Sequence, residues 1–226
     1  MSERIDKLEK FFSRFKPISY RKKELIFQPD EEPDSVFYLK DGYVRMYSVS
    51  EKGKELTLNI FKPGSYFPMI WAIGDIPNYY YYETMMAVTV YKTSKDQLIG
   101  FLKKEPLLLY ELTKRIIIGT AGILTRLEYL LFGDAYQRVT SSLLLSARRF
   151  GLDKQNGEVE IQLPLTHQEV ANLACLTRES TSLEMRKLAK NNLVISQKRK
   201  LIIKSMDRLR KESLMYIDEE ALPYTF

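Results

Sequence analysis

Residues 176–188 read LTRESTSLEMRKL, and Arg178, Glu179 and Ser182 within them carry side chains that donate or accept hydrogen bonds in fixed patterns. On a helix, these three and Arg186 fall on one side, while Thr181, Met185, Leu188 and Ala189 fall on the other. An arginine fork offers two donors matched to O6 and N7 of guanine, and a carboxylate accepts from the amino group of cytosine. A glutamate facing DNA repels phosphate, so its presence in a basic neighbourhood fits the reading of base edges. The neighbourhood is basic: between Cys175 and Lys211 there are eleven basic and three acidic residues, a local +8 in a chain of formal charge +6. The rest of the chain is therefore about −2. Such a block is either a solvated surface or a surface of the sign that neutralises phosphates.

The surrounding elements must position these groups. Thr166, His167, Gln168 and Glu169 form a capping box, in which the threonine hydroxyl accepts from a backbone N–H three residues on and the glutamate reaches back. A helix is therefore predicted from residue 167, with Val170, Leu173 and Ala174 as its apolar face. Thr177 supplies a second cap a few residues later, which gives two short helices joined by a tight turn. After Asn191-Asn192 the helix stops, and LVIS and LIIKS read as two strands joined by Gln197-Lys198-Arg199-Lys200. A helix-turn-helix followed by such a hairpin is a winged helix. Thr166, His167, Thr177, Arg186, Lys198, Arg199 and Lys200 are its candidates for phosphate contacts. An amphipathic helical hairpin with a basic face is the alternative on caps and periodicity alone.

Upstream, residues 25–94 form short β-rich runs divided by turn signals at Asp41-Gly42, Glu51-Lys52-Gly53-Lys54 and Lys62-Pro63-Gly64-Ser65. Asp41-Gly42 reads as a hairpin, and the series implies an antiparallel sandwich or barrel. From Pro106 to about Phe132 the repeat changes to that of a long helix, with Leu109, Leu112, Ile116, Ile123, Leu127 and Leu130 along it. A stripe this long predicts pairing with a second copy as a parallel coiled coil, and Gly119 and Gly122 would allow close approach near its middle. Packing wholly within a monomer is the alternative. Gly133 and Asp134 then stop one helix and cap the next, which ends at Gly151, and Asn156-Gly157 turns between two strands. The opening segment, with Ile5, Leu8, Phe11, Phe12 and Phe15 at helical spacing, reads as a docking helix.

Composition narrows the chemistry. One cysteine, Cys175, and one histidine, His167, allow neither an intrachain disulfide nor a multi-cysteine metal or cluster site. No nucleophile, base and oxyanion site assembles, so an enzyme is not expected. No run approaches the ~20 apolar residues of a membrane span, no signal peptide is visible, and a reducing cytoplasm fits.

LTHQEVANLACLTRESTSLEMRKLAKNNLV resembles the helix-turn-helix of the Crp/Fnr transcription regulators, and ELIFQPDEEPDSVFYLKDGYVRMYSVSEKGKELTLNIFKPGSYF is similar to that family's cyclic-nucleotide-binding-like β-roll. The resemblance implies an α+β chain in three parts. Residues 1–105 would be an antiparallel β-roll of the cupin or jelly-roll kind with an N-terminal helix, 106–133 a long dimerisation helix, and 134–226 a winged helix-turn-helix. It implies a homodimer on double-stranded DNA, with RNA polymerase a candidate partner and no membrane. Arg178 and Glu179 match the family's base-reading pair and Ser182 a third reading position, whereas Leu183 stands where many members carry arginine. Cys175 occupies a turn position usually held by glycine. A bend would fall at Phe132-Gly133-Asp134.

The resemblance weakens in the sensor. Pro68 and Met69 stand where cyclic-nucleotide binders carry Gly-Glu, and Asn78-Tyr79 fall near their phosphate-binding pair. No arginine lies between Arg45 and Arg115, and Ile123 and Leu124 occupy the positions that would contact adenine. Cyclic AMP is therefore not expected. Haem and iron–sulfur clusters are not expected either, because His167 and Cys175 both fall in the C-terminal part. What remains is aromatic: Tyr66, Phe67, Trp71, Tyr79 and Tyr81, with Ile123 and Leu127, are the candidates for an effector pocket, Tyr79 and Tyr81 sharing one strand face. The effector is unidentified, and aromatic packing with no ligand is the alternative. A ligand-binding module acting through protein partners is the competing functional class.

Overall fold

A computed structural model describes residues 2–154, 156–197 and 200–215, with side chains from Lys7 onward. The described residues divide into two compact units, one of residues 2–53 and 57–115, the other of 54–56 and 116–215. The division falls inside the longest helix.

The first unit opens with helix α1 (Ser2–Phe12), followed by strands β1 (Pro17–Tyr20), β2 (Leu25–Phe27), β3 (Val36–Asp41), β4 (Val44–Val49), β5 (Glu55–Phe61) and β6 (Tyr66–Phe67). Helix α2 (Met69–Gly74), strands β7 (Tyr81–Thr84) and β8 (Val88–Thr93), helix α3 (Lys95–Lys103) and the start of α4 (Pro106–Phe132) complete it. The strands form two four-stranded sheets, in the orders β1-β8-β3-β6 and β2-β7-β4-β5, antiparallel as expected. β1 lies before the residues 25–94 that the sequence pattern indicated, whereas β2 begins at Leu25 as expected.

Asp41-Gly42 does not close a hairpin. β3 and β4 lie in different sheets, so the chain turns a corner there, and Lys62-Pro63-Gly64-Ser65 makes a second corner from β5 to β6. Gly42 has φ +86°, and a Cβ on it would stand 2.7 Å from the Ala87 carbonyl oxygen, so only glycine fits. Of the three breaks only the one around Gly53, between neighbours β4 and β5, is a true hairpin.

β3 shows why the unit needs so many aromatics. Side chains alternate across a strand, and Val36 and Tyr38 pack on one face with Leu8, Phe11 and Phe12 of α1, Leu98 and Leu102 of α3, and Leu108 and Leu112 of α4. Phe37 and Leu39 pack on the other with Phe27, Val44, Phe67, Tyr82, Val88 and Val90, filling the space between the sheets. Phe67 is fully buried there, its ring centroid 4.9 Å from Phe61, 5.5 Å from Tyr82 and 5.9 Å from Phe37.

The second unit holds the rest of α4, then α5 (Ala135–Phe150), β9 (Gly151–Asp153), β10 (Val159–Ile161), α6 (His167–Ala174), α7 (Arg178–Lys190), β11 (Val194–Gln197), β12 (Lys200–Ile203) and α8 (Met206–Lys211). β9, β10, β12 and β11 make one antiparallel sheet in that order. α5 starts where the sequence indicated: Asp134 accepts from Gln137 N at 2.8 Å and Gln137 reaches back. The α4–α5 junction is tightly packed rather than open, because a Cβ on Gly133 would meet the Tyr129 carbonyl oxygen at 2.5 Å. The Arg138 Nε–H donates to the Gly133 carbonyl at 2.8 Å. Among the described residues no helix is long and apolar enough to cross a membrane, and no group of three or more metal-ligating side chains gathers.

Candidate nucleic-acid interface

Two caps and one turn fix the pair α6–α7. Thr166 caps α6 with the full box: its hydroxyl accepts from Glu169 N, and the Glu169 carboxylate accepts from Thr166 N and from its hydroxyl. Thr177 caps α7, accepting from Ser180 N at 3.1 Å and donating to Ser180 Oγ at 3.0 Å. Both threonine hydroxyls are thus engaged at the helix ends. Between the helices Cys175 is left-handed, at φ 55° and ψ 43°, and its N–H donates to the Ala171 carbonyl. A non-glycine residue there costs roughly 1 kcal/mol.

The turn aims α7. Thr181, Met185 and Leu188 are buried, together with Val170, Ala171 and Ala174 of α6, whereas Arg178, Glu179 and Arg186 are exposed. Ala189 is exposed rather than in the core, and Glu184 takes a buried place, held by Lys187 at 2.8 Å. Leu173 is only half-buried. Ser182 is half-buried as well, and its hydroxyl lies 2.8 Å from His167 Nδ1, tying the start of α6 to the middle of α7. Sequence spacing gave no sign of that bond, since the two residues meet only once the turn is folded. Leu183, at 48% exposure, stands on the same outward side as Glu179 and Arg186.

The two strands of the wing, β11 and β12, pair antiparallel as expected. Lys198 and Arg199 lie outside the described residues. Lys200 points back to Glu160, a buried carboxylate on β10 that also holds Lys154 at 2.6 Å. Hydrogen bonds from Lys154 and then Lys200 hold the Glu160 carboxyl down to about 2. The Lys200 side chain makes this ion pair while remaining 56% exposed, and Lys204 pairs with Glu158. The run of lysines in the sequence gave the charge but not these cross-strand partners.

Residues 17–105 match the cyclic nucleotide-binding domain and residues 137–212 the Crp-like helix-turn-helix domain, in the order and at the places where the two units lie. The chain belongs to the Crp/Fnr family of transcription regulators. That family is one of regulators, not of enzymes. A relative among them is the global nitrogen regulator of Synechocystis sp., 26% identical over 191 residues that span 82% of this chain and 83% of that one. A CRP-like cAMP-activated global transcriptional regulator of Mycobacterium tuberculosis is 22% identical over 204 residues, 88% of this chain and 89% of that one. A mutant of CooA from Carboxydothermus hydrogenoformans has the same fold, with a TM-score of 0.73 at 24% identity, covering 88% of both chains.

In this Crp/Fnr chain the aromatic residues expected to line one pocket face different surroundings. Phe67 belongs to the core between the sheets. Tyr66 and Trp71 pack instead against the helical side of the roll. Burial pushes the Tyr66 phenol up to about 12, opposed by the nearby charge of Arg115 and a hydrogen bond to it. The Lys95 ammonium lies 5.0 Å from the Trp71 ring centroid. Tyr79 is 56% exposed and precedes β7, so it shares no strand face with Tyr81, which stacks on Tyr47 at 5.0 Å. Asn78 is buried with its amide donating to the carbonyls of Gln28 at 2.8 Å and Tyr80 at 2.9 Å.

The long helix also needs one correction. Leu112 is buried in the first unit's own core and Leu130 is half-buried, so neither lies on the open stripe. The exposed residues run Tyr110, Thr113, Ile117, Thr120, Leu124, Leu127 and Leu131, alternating three and four apart, with Leu109, Ile116 and Ile123 beside them. Ile123 and Leu127 thus lie on this open face, and Gly119 is half-buried near its middle.

Proposed function

We propose that this regulator works as a homodimer that reads an inverted repeat in double-stranded DNA, Arg178 and Glu179 selecting bases and Arg186 contacting phosphate. The observation that carries the reading is the outward face of α7. A double-capped helix pair buries Thr181, Met185 and Leu188 and leaves an arginine–glutamate pair exposed in its first turn. Base-edge chemistry needs that juxtaposition. Dimerisation through α4 is supported by the three-four alternation of its exposed stripe, two threonines among otherwise apolar residues, the pattern of a two-helix seam, which water otherwise covers at a cost. A two-fold dimer would set its recognition helices about 34 Å apart, in successive major grooves. RNA polymerase is a natural partner for such a regulator, and a cytoplasmic setting follows from its target.

The sensor reading is that the roll does not respond to cyclic AMP. Supporting it are the Asn78 amide already donating to two carbonyls, the Phe61, Phe67 and Tyr82 rings packed between the sheets, and the lack of any arginine from residue 46 to 114. A cyclic phosphate would meet no guanidinium fork from that segment. Haem or an iron–sulfur cluster would find its only histidine and cysteine at the α6–α7 pair, far in sequence from the roll.

The test is selection from a random duplex pool with purified, ligand-free protein at near-physiological salt. Enrichment of an inverted repeat with half-sites one helical turn apart is the expected result. Salt-sensitive binding blind to sequence, unchanged on adding cell extract, would overturn the base-reading role of Arg178 and Glu179.

A further inference from the structure

We propose that Leu183 reads the 5-methyl group of a thymine in each half-site. The inference rests on the base-reading function of α7 and adds a residue and a base to it. Buried side chains of α7 occur at 181, 184, 185 and 188, so the direction opposite them is shared by 179, 183 and 186. At 3.6 residues per turn, Leu183 lies one turn beyond Glu179 and only about 40° round the axis from it. It is the one large apolar side chain on this outward face, 48% exposed between a carboxylate and a guanidinium.

Its neighbours sharpen the assignment. The Ser182 hydroxyl is engaged with His167, and the Arg186 Nε–H donates back to the Ser182 carbonyl at 3.3 Å. The Lys187 ammonium is turned to Glu184. Past the first turn of α7 the outward face is thus made by Leu183, Arg186 and Lys190, and Leu183 is the one of them whose side chain has no hydrogen-bonding group. A leucine has no hydrogen bond to offer a base edge, and the one apolar group displayed in the major groove is the thymine methyl. A leucine held against cytosine or adenine would instead bury an amino group without a partner, which disfavours those bases.

The experiment uses the full-length protein and the duplex enriched from the random pool. Each thymine of the half-site is replaced in turn by uracil, which removes only the methyl, and binding is measured for the wild-type chain and for Leu183→Ala. The wild-type chain should bind about fourfold more weakly at one uracil position, the worth of one buried methyl. Leu183→Ala should bind the thymine and uracil duplexes alike at that position. Leu183 is exposed, and unchanged thermal unfolding of the variant verifies that the fold is kept. Equal wild-type affinity for every thymine–uracil pair overturns the proposal, as does a methyl preference that survives in Leu183→Ala. A pool with no enriched site would overturn the base-reading function itself, an outcome distinct from either.

Discussion

The β-roll and the helix-turn-helix solve opposite problems with their side chains. In the roll, β3 buries both faces, so consecutive residues Val36, Phe37, Tyr38 and Leu39 are all interior and aromatic rings fill the volume. In α7 only one stripe is buried, and the remaining positions stay free of packing demands. A surface used for recognition has to be surplus to folding. The first region can therefore change its chemistry only by repacking, whereas the second can change its sequence preference one residue at a time.

The largest test of this contrast is Phe67→Ala. Removing a fully buried ring that meets three other aromatics should cost about 3–5 kcal/mol, read as a lower denaturation midpoint for the N-terminal unit. Equal stability of the variant would mean that the rings between the sheets do not form a packed core.

Arg178→Ala should do the reverse. Its side chain is exposed, so unfolding should shift by less than about 0.5 kcal/mol. Discrimination between the selected site and a mismatched one should fall by about 1–3 kcal/mol in competition binding. A variant that lost stability but kept discrimination would invert the comparison.

Thr166→Ala lies between the two, because its hydroxyl belongs to the scaffold of the reader. Loss of the capping box should destabilise the C-terminal unit by about 1 kcal/mol, measured by chemical denaturation.

The smallest effect concerns pH. Lys154 and Lys200 hold the Glu160 carboxyl down to about 2 from its ordinary 4.5. A carboxylate with a lowered folded-state value contributes stability above its unfolded value and loses it as pH falls through the folded one. Between about pH 4.5 and pH 2 the wild-type C-terminal unit should therefore lose more thermal stability than Glu160→Gln. Parallel losses in the two proteins would show that the ion pairs contribute nothing.

Much of this was legible from the residues because the signals were local. The capping box at Thr166, the N-cap at Asp134, the bounds of α4 and the turn at Asn156-Gly157 each depend on side chains a few positions apart. What failed depended on distant partners. Asp41-Gly42 specifies a tight turn but not whether the two strands then pair, and here they join different sheets. Leu112 fits the apolar period of α4 as well as its neighbours do, yet α1 and α3 cover it. Lys200 is a surface cation as read, but its partner Glu160 lies forty residues away in sequence, on a strand whose flanking valine and isoleucine suggest a purely apolar run. The surroundings of the aromatic candidates were hidden for a related reason: alternation says which residues share a face, but not which element lies opposite.

Trp71, packed on the helical side of the roll beneath Lys95, is the chain's only tryptophan. Indole emission is consequently a private optical signal of the N-terminal unit, while tyrosines and backbone ellipticity report on both. An effector or a denaturant acting on the roll will shift that emission directly. Emission that moves on adding duplex DNA, and moves less on adding a duplex lacking the selected site, will register communication from one unit to the other without any label being attached.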